Sequence, residues 1–348
     1  MAATTDEARS HFAELLRVAR AGAAGLGDGW VKAALSEEFF SQIEARLSGE
    51  LSGWSTWPPL LLFAARSETR QLAALDDAMK AVAERTRPDR QVGIGLWLTA
   101  GADDAGARSW RCGFFELAMK TRFLAGLTDV EFDVVLPNGR DADIRATVAG
   151  RTMLFEATVI TESDEDQDVW SKFMAAKAAD ANAVLVRPGD HDSAHSRGPS
   201  PYYDCARVYT KVYDKLAKNW DPAKSQLSDV HPNVILLSVW TGHGNPSVLS
   251  PGVGWALDEL LADQPNAGAG MTGVGLTDIS LATFLRRRAP SAALELLQSP
   301  RRVGAIVTLS QTALNRARVN SNANPRNRIS HAELAAIETA AALPLDWA

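Results

Sequence analysis

The sequence has almost no cysteine and no long hydrophobic run. Its two cysteines, Cys112 and Cys205, have no CxxC or Cys/His companions, so neither a disulfide framework nor a structural zinc site is indicated. No stretch reaches the ~18 uninterrupted apolar residues that a membrane-spanning helix needs. The first residues, MAATTDEARSHF, carry acids where a signal peptide would have a basic head and an apolar stretch. We therefore expect a cytoplasmic protein without a membrane partner.

The sequence also lacks the short motifs of the commonest enzyme classes. It contains no GxSxG, P-loop or HExxH, and its GVGWA and MTGVGLTD segments lack the context and spacing of a dinucleotide-binding GxGxxG. His191, Asp192 and His195 have a spacing that could hold a metal ion, but they lie in a Pro/Gly/Ser-rich segment without a third fixed ligand. A hydrolase that uses this segment is one hypothesis, and a solvated loop is the alternative.

Positive charge is scarce overall but concentrated in one segment. The 36 basic and 42 acidic residues give a net charge of −6, which argues against a protein coated in positive charge. Residues 276–328 nonetheless hold nine arginines and two acids, whereas residues 161–180 hold two bases and six acids. We predict that these arginines contact nucleic-acid phosphates, the alternative being a surface that balances the acidic segment or a partner subunit. The nine are Arg286, Arg287, Arg288, Arg301, Arg302, Arg316, Arg318, Arg326 and Arg328.

Hydrophobic residues make up 46% of the chain, and their spacing predicts a mixed α/β protein. We predict a helical N-terminal region over 1–90, an α/β core over 91–328 with a mixed sheet flanked by helices, and a C-terminal helix over 329–348. The core is expected to open with a strand over QVGIGLWLTA and a helix over FFELAMKTRFLAG. Three alternating strands follow in VEFDVVL, DADIRATV and TMLFEATVI, and NVILLSVW and VGAIVTLS read as later strands.

Glu156 lies in the middle of an otherwise apolar strand. Burial of an unpaired carboxylate is costly, so Glu156 needs a cation, a metal ion or hydrogen-bond donors as a partner. Asp143 begins the neighbouring strand, and a three-residue turn between the strands would bring both acids to the open end of the hairpin. Two such carboxylates can bind Mg²⁺, which takes few protein ligands and keeps several waters. The alternative is a salt bridge from Glu156 to Arg145 or Arg151 across the hairpin.

This arrangement resembles the core of the PD-(D/E)XK nuclease superfamily, which has the restriction-endonuclease-like fold. The similarity covers about residues 110–240: an acid on the helix FFELAMKTRFLAG, the line GLTDVEFDVVLPNGRDADIRATVAGRTMLFEATVI, then a helix and a buried strand. The NPRNR stretch near residue 324 is similar to the tail of some members. The resemblance implies a restriction-endonuclease-like core over 91–328 and a nuclease that uses Mg²⁺ or Mn²⁺ to hydrolyse phosphodiester bonds of DNA or RNA. It also points to a homodimer.

Carried over to this sequence, the resemblance makes Asp143 the first metal-binding acid, Glu156 the second and Glu116 the helix acid. The alternative for Glu116 is an ordinary ion pair with Lys120, one helical turn away. The family's Glu-x-Lys is here Glu156-Ala157-Thr158. A threonine cannot supply the positive charge that helps to orient a water and stabilise the transition state. This departure supports a second hypothesis, a nuclease-fold protein that has lost catalysis and serves as a nucleic-acid-binding or scaffold module.

A lysine on a later helix could take over the role of the missing strand lysine. The segment 207–218 places basic residues along one helical stripe, and Lys215 is the predicted catalytic substitute. Lys211 is the next candidate and a predicted nucleic-acid contact, and Lys172 is the third. The alternative is that this stripe is the solvated face of an amphipathic helix.

Overall fold

The computed structural model of the protein describes residues 5–48, 59–66, 68–91, 94, 109–160, 176, 225–239, 302–310, 317–322 and 325–347. These residues belong to two compact units. The first contains the described residues up to Thr121, residue 176 and the chain end from Leu345. The second contains those from Arg122 to Ile160 and from Ser225 to Pro344.

The N-terminal region is helical, as its apolar spacing predicts. Its helices are α1 Thr5–Ala24, α2 Trp30–Ala34, α3 Glu37–Ser48, α4 Pro59–Ala65, α5 Thr69–Arg85 and α6 Pro88–Gln91. The strand predicted over QVGIGLWLTA is wrong where the structure describes it, because Gln91 ends α6 and Ile94 is also helical. Pro88 favours a helix start, since its fixed φ suits the first helical position. The Gln91 amide then donates to the carbonyls of Ala83 and Thr86.

Gly22 allows α1 to lie directly against α4. A Cβ at this position would come within 2.5 Å of the Ala64 carbonyl oxygen, and a backbone atom cannot easily move away. We expect Gly22→Ala to lower the free energy of unfolding by about 1–3 kcal/mol, as overpacking does in well-packed cores. Gly27→Ala is the matched control because a Cβ there meets no described atom within 4 Å. Urea unfolding that gives equal stability for the two variants would contradict this packing.

Helix α7, Ser109–Gly126, passes from the first unit into the second after Thr121. Its C-terminal end lies against helix α8, His331–Ala341, and a Cβ on Gly126 would come within 2.8 Å of Ala340. The Nε of the buried Arg122 donates to the Leu343 carbonyl at 2.7 Å, just beyond α8. Burial lowers the pKa of Arg122 to about 10. Because this value lies below that of the unfolded chain, the buried charge costs stability at neutral pH, and the cost declines only as the pH rises past about 10.

The second unit is built on a six-stranded mixed sheet in the order β1-β2-β3-β4-β5-β6. The strands are β1 Thr128–Val135, β2 Asp141–Val148, β3 Arg151–Ile160, β4 Asn233–Val239, β5 Val303–Ser310 and β6 Ala317–Ser321. Strands β3, β4 and β5 run parallel, and the other neighbours are antiparallel. The prediction of an α/β protein with a mixed sheet flanked by helices is therefore confirmed, although β6 was not predicted. None of the described helices is long and apolar enough to cross a membrane.

A two-residue turn connects β2 to β3, where the sequence suggested three residues. Val148 pairs with Arg151, and φ is positive at both Ala149 (48°) and Gly150 (85°). Positive φ at both central residues is typical of a type I′ turn, whose twist matches that of the flanking strands. This turn fixes the register of the whole hairpin.

The two faces of the sheet differ in character. On one face, Ile144 of β2 and Phe155 of β3 are fully buried, and Phe155 packs edge-on against Phe123 of α7 with ring centroids 4.7 Å apart. The opposite face, which we call the acidic face, carries Glu131, Asp133, Asp141, Asp143 and Glu156 along β1, β2 and β3. Strands β4 and β5 are buried on both sides, which explains why their sequences are almost continuously apolar.

Candidate functional site

Asp143 and Glu156 lie next to each other on the acidic face. The pairing of β2 with β3 runs from Val148 opposite Arg151 to Ile144 opposite Phe155. One step further, this register places Asp143 opposite Glu156. The two side chains therefore lie on the same face of neighbouring strands, one position beyond the last described pair.

The Asp143 carboxylate replaces a backbone acceptor at this point of the sheet. Its Oδ2 accepts a hydrogen bond from the backbone N–H of Ala157 at 2.7 Å. The Gln226 amide donates to the neighbouring Asp141 carbonyl at 3.2 Å. The described backbone pairing of β2 with β3 stops at Ile144. Beyond it, the Asp143 side chain bonds to the β3 backbone at Ala157. The hydrogen bond holds the Asp143 carboxylate beside the β3 backbone, directly next to Glu156.

The two acids differ in their exposure to solvent. The Glu156 side chain belongs to the interior, at 1% exposure, whereas Asp143 is half-buried. Thr158 is on the same side of β3 as Glu156 because side chains two apart share a face, and it is also half-buried. Side-chain oxygen atoms of differing exposure therefore lie side by side on this face.

A third carboxylate, which the sequence analysis did not single out, belongs to the same row. Asp133 lies opposite Asp143 by the register of β1 with β2, between the pairs Phe132–Ile144 and Val134–Ala142. Its φ of 52° is unusual for a residue other than glycine. The Leu136 N–H donates to the Arg140 carbonyl, so counting outward equally from the three turn residues Pro137, Asn138 and Gly139 would have revealed this neighbour of Asp143.

The two arginines considered as salt-bridge partners for Glu156 have other contacts. The Arg145 guanidinium pairs with Glu131 on β1. Arg151 lies five residues before Glu156 on β3, which corresponds to about 16 Å along a strand. Its Nη1 donates to the Arg328 carbonyl at 2.6 Å and lies 3.5 Å from Glu333. These contacts orient both guanidinium groups toward other residues.

Glu116 forms the ion pair that its spacing from Lys120 predicts. Glu116 Oε1 lies 2.7 Å from the Nζ of Lys120, whose side chain is fully buried. Breaking a buried ion pair by removing one partner typically costs about 3–5 kcal/mol. Glu116 therefore has a structural role in α7, whatever other role it has.

Several predicted site residues lie outside the described residues. They are Lys172, His191, Asp192, His195, Lys211, Lys215, Arg286, Arg287, Arg288, Arg301 and Arg316. Within the described ranges, no group of three or more His, Cys, Asp or Glu side chains is arranged to hold a metal ion. The sequence-predicted acids that the structure describes next to each other are Asp143 and Glu156.

Arg302 is described, and it binds a carboxylate of the protein itself. Its Nε lies 3.0 Å from Asp229 Oδ1, and its side chain is only 12% exposed. Arg326, from the NPRNR stretch, binds the same Asp229 oxygen. These contacts join residues 73 and 97 positions apart, so no local pattern could have predicted them.

Comparisons with known proteins add no relative. No protein-family model, curated protein or solved structure matches the chain. Support for a function therefore comes from the residues and their geometry.

Proposed function

We propose that the protein is a divalent-metal-dependent nuclease that hydrolyses phosphodiester bonds of DNA or RNA, built on a restriction-endonuclease-like core. The observation that carries this proposal is the pair of carboxylates, Asp143 and Glu156, on adjacent strands where the pairing of β2 with β3 stops. Paired acids at such a point provide oxygen ligands from rigid strands, and strands position ligands better than loops do.

The order of the elements supports the same proposal. Helix α7 precedes an antiparallel meander of β1, β2 and β3, and β4 lies parallel to β3. The resemblance to PD-(D/E)XK nucleases implies this sequence of a helix with an acid, a hairpin with two acids and a later buried strand.

The donor set fits a hard cation. Mg²⁺ is usually bound by one or two carboxylates and keeps several waters, so a pair of acids is sufficient. When bound, such an ion polarises a phosphate oxygen and lowers the pKa of an attacking water. The contribution of the chain is orientation: the Ala157 N–H holds Asp143, and the β3 backbone holds Glu156 beside it.

Thr158 favours a second candidate, a catalytically inactive module that binds nucleic acid or serves as a scaffold. The proposed nuclease needs a cation near the phosphate, and Thr158 has no charge. We propose that Lys215 supplies this cation, with Lys211 and then Lys172 as alternatives. Glu116 would assist, in addition to pairing with Lys120.

A cleavage assay tests the proposal. Purified protein is incubated with supercoiled plasmid, linear duplex, single-stranded DNA and RNA, each with Mg²⁺, Mn²⁺ or EDTA. We expect cleavage of at least one substrate with Mg²⁺ or Mn²⁺ and none with EDTA. Lys215→Ala should lower the rate by about 100-fold, within the range for one electrostatic group at an active site.

The same assay distinguishes the second candidate. Binding of a substrate without cleavage under any metal condition would contradict the nuclease and support the inactive module. Neither binding nor cleavage would contradict both.

A further inference from the structure

Four arginines lie around one end of the sheet, away from the acid pair. Arg151 begins β3, and Arg302 directly precedes β5. Strands β3, β4 and β5 are parallel and begin at the same end. Their register places Arg151 two residues further out than Arg302, so the two positions are about 12 Å apart at the usual strand spacing and rise. The segment after β6 reaches this end through Arg326, which binds Asp229, and Arg328, whose carbonyl accepts from Arg151.

Hydrogen bonds hold this end of the sheet in place. The Asn327 amide lies between Arg326 and Arg328 and donates to the carbonyls of Asp229 and His231, each at 3.3 Å. The buried Asn233 amide donates to the Arg302 carbonyl at 2.8 Å, which ties the residue before β5 to β4. The backbone that carries the arginines is thus already ordered, so binding a ligand costs mainly the freedom of their side chains.

Among the described residues at this end of the sheet, positive charge exceeds negative charge. Arg326 is 54% exposed and Arg151 is 40% exposed, so their guanidinium groups can reach a ligand. Within the part of the chain that the structure describes, two carboxylates, Asp229 and Glu333, contact these arginines. Glu333 is 8% exposed and also accepts from the Ser330 N–H at the start of α8, which leaves Asp229, at 42% exposure, as the main exposed acid.

We propose that Arg151, Arg302, Arg326 and Arg328 form a surface that binds the sugar-phosphate backbone of a nucleic acid, and that Asp229 limits its affinity. The inference rests on the proposed function, because it names where that substrate is held. Guanidinium groups at separate positions can contact more than one phosphate, because a nucleic acid carries phosphates at regular intervals along its backbone. A single small anion would contact only one or two of them.

Binding is measured with the full chain by fluorescence anisotropy, using labelled duplex DNA, single-stranded DNA and RNA. EDTA prevents metal-dependent cleavage, and salt is varied from about 50 to 200 mM, where phosphate contacts dominate the salt dependence. We expect Arg326→Ala/Arg328→Ala to weaken binding. For duplex DNA it should reduce the slope of log affinity against log salt by about 2, since each lost phosphate contact contributes about 0.9.

The matched control is Arg70→Ala/Arg85→Ala, which removes the same charge from exposed positions on α5 in the other unit. Its slope should remain close to that of the wild type. Arg326→Lys/Arg328→Lys distinguishes a loss of charge from a folding defect. This variant keeps both charges, so the slope of log affinity against log salt should be retained. Equal losses in both alanine pairs, or a full loss in the lysine pair, would overturn the proposal.

Asp229→Asn tests the proposal that Asp229 limits the affinity, and here binding is expected to become tighter. Removing one negative charge about 6 Å from a phosphate should tighten binding by about threefold, from the Coulomb energy in water. A purely structural role for the contacts between Asp229 and the arginines predicts unchanged or weaker binding, and that result would contradict a limiting role for Asp229.

The outcomes separate this inference from the nuclease proposal. If binding depends on Arg326 and Arg328 but no nucleic acid is cleaved, the proposed binding surface stands and the nuclease proposal is contradicted. If the protein cleaves nucleic acid but the salt dependence of binding is unchanged in Arg326→Ala/Arg328→Ala, the nuclease proposal stands and the binding surface is contradicted. No binding to any of the three nucleic acids would contradict the surface as well.

Discussion

Glu156→Gln and Asp143→Asn are each expected to lower metal-dependent cleavage by at least about 100-fold. Each substitution keeps the shape of the side chain but removes a charge and one of the strong oxygen ligands. Losing an outer-shell partner of a metal site typically costs 10–100-fold in affinity or activity, so losing a direct ligand should cost at least as much. The double variant should be little worse than either single variant, because the two acids are proposed to act as one unit.

The control for this series is Glu131→Gln. Glu131 is a carboxylate on the same face of the sheet, but it is exposed and paired with Arg145. Cleavage by this variant should stay within about twofold of the wild type, since exposed ion pairs contribute little. Mn²⁺ binding is followed by electron paramagnetic resonance, and urea unfolding is measured for every variant. Undiminished cleavage or Mn²⁺ binding in a folded Glu156→Gln would contradict the assignment of the site.

Phe155→Ala is expected to lower the free energy of unfolding of the second unit by about 3–5 kcal/mol, the usual cost of removing a buried aromatic side chain. Phe155 is fully buried and packs edge-on against Phe123. The substitution would leave a cavity where α7 meets the sheet. Phe155 directly precedes Glu156 in the chain, so the cavity would lie beside the strand segment that carries this acid. We therefore expect cleavage to fall as well, because the acid loses the rigid strand that positions it.

Phe155→Leu is the matched variant for this cavity. It fills most of the volume and loses the aromatic contact, so its cost should be clearly smaller, at about 1–2 kcal/mol. Chemical denaturation followed by tryptophan fluorescence gives the values. A loss below about 1 kcal/mol for Phe155→Ala would mean that this contact between α7 and the sheet contributes little to stability.

The success of sequence analysis differed between elements for physical reasons. Strands β1 to β5 were predicted because their apolar and polar residues alternate or because both of their faces are apolar. Both patterns result directly from which side chains are buried. Strand β6 was missed because ARVNS alternates small and polar residues at the edge of the sheet, where less apolar surface is needed. The strand expected at QVGIGLWLTA was wrong at its start because a preceding proline favours a helix over an apolar pattern.

The candidate site was partly predictable for a similar reason. Asp143 and Glu156 could be expected near each other because a short turn joins their strands, although the turn has two residues and not three. Asp133 and Asp143 could be expected near each other for the same reason, because a short turn around Asn138 joins their strands. The contacts of Asp229 with Arg302 and Arg326 depend on how distant segments fold together, so only the structure could reveal them.

The two-residue turn at Ala149 and Gly150 has a consequence for how the acid pair can be lost. Because side chains alternate between faces, a one-residue slip in register would move Glu156 from the acidic face to the apolar one. A change in the turn that shifts the pairing of β2 with β3 by one residue would therefore separate Asp143 from Glu156 without altering either residue. The site is specified by the register of the hairpin as much as by the acids, and a relative with both acids but a register shifted by one residue would not preserve it.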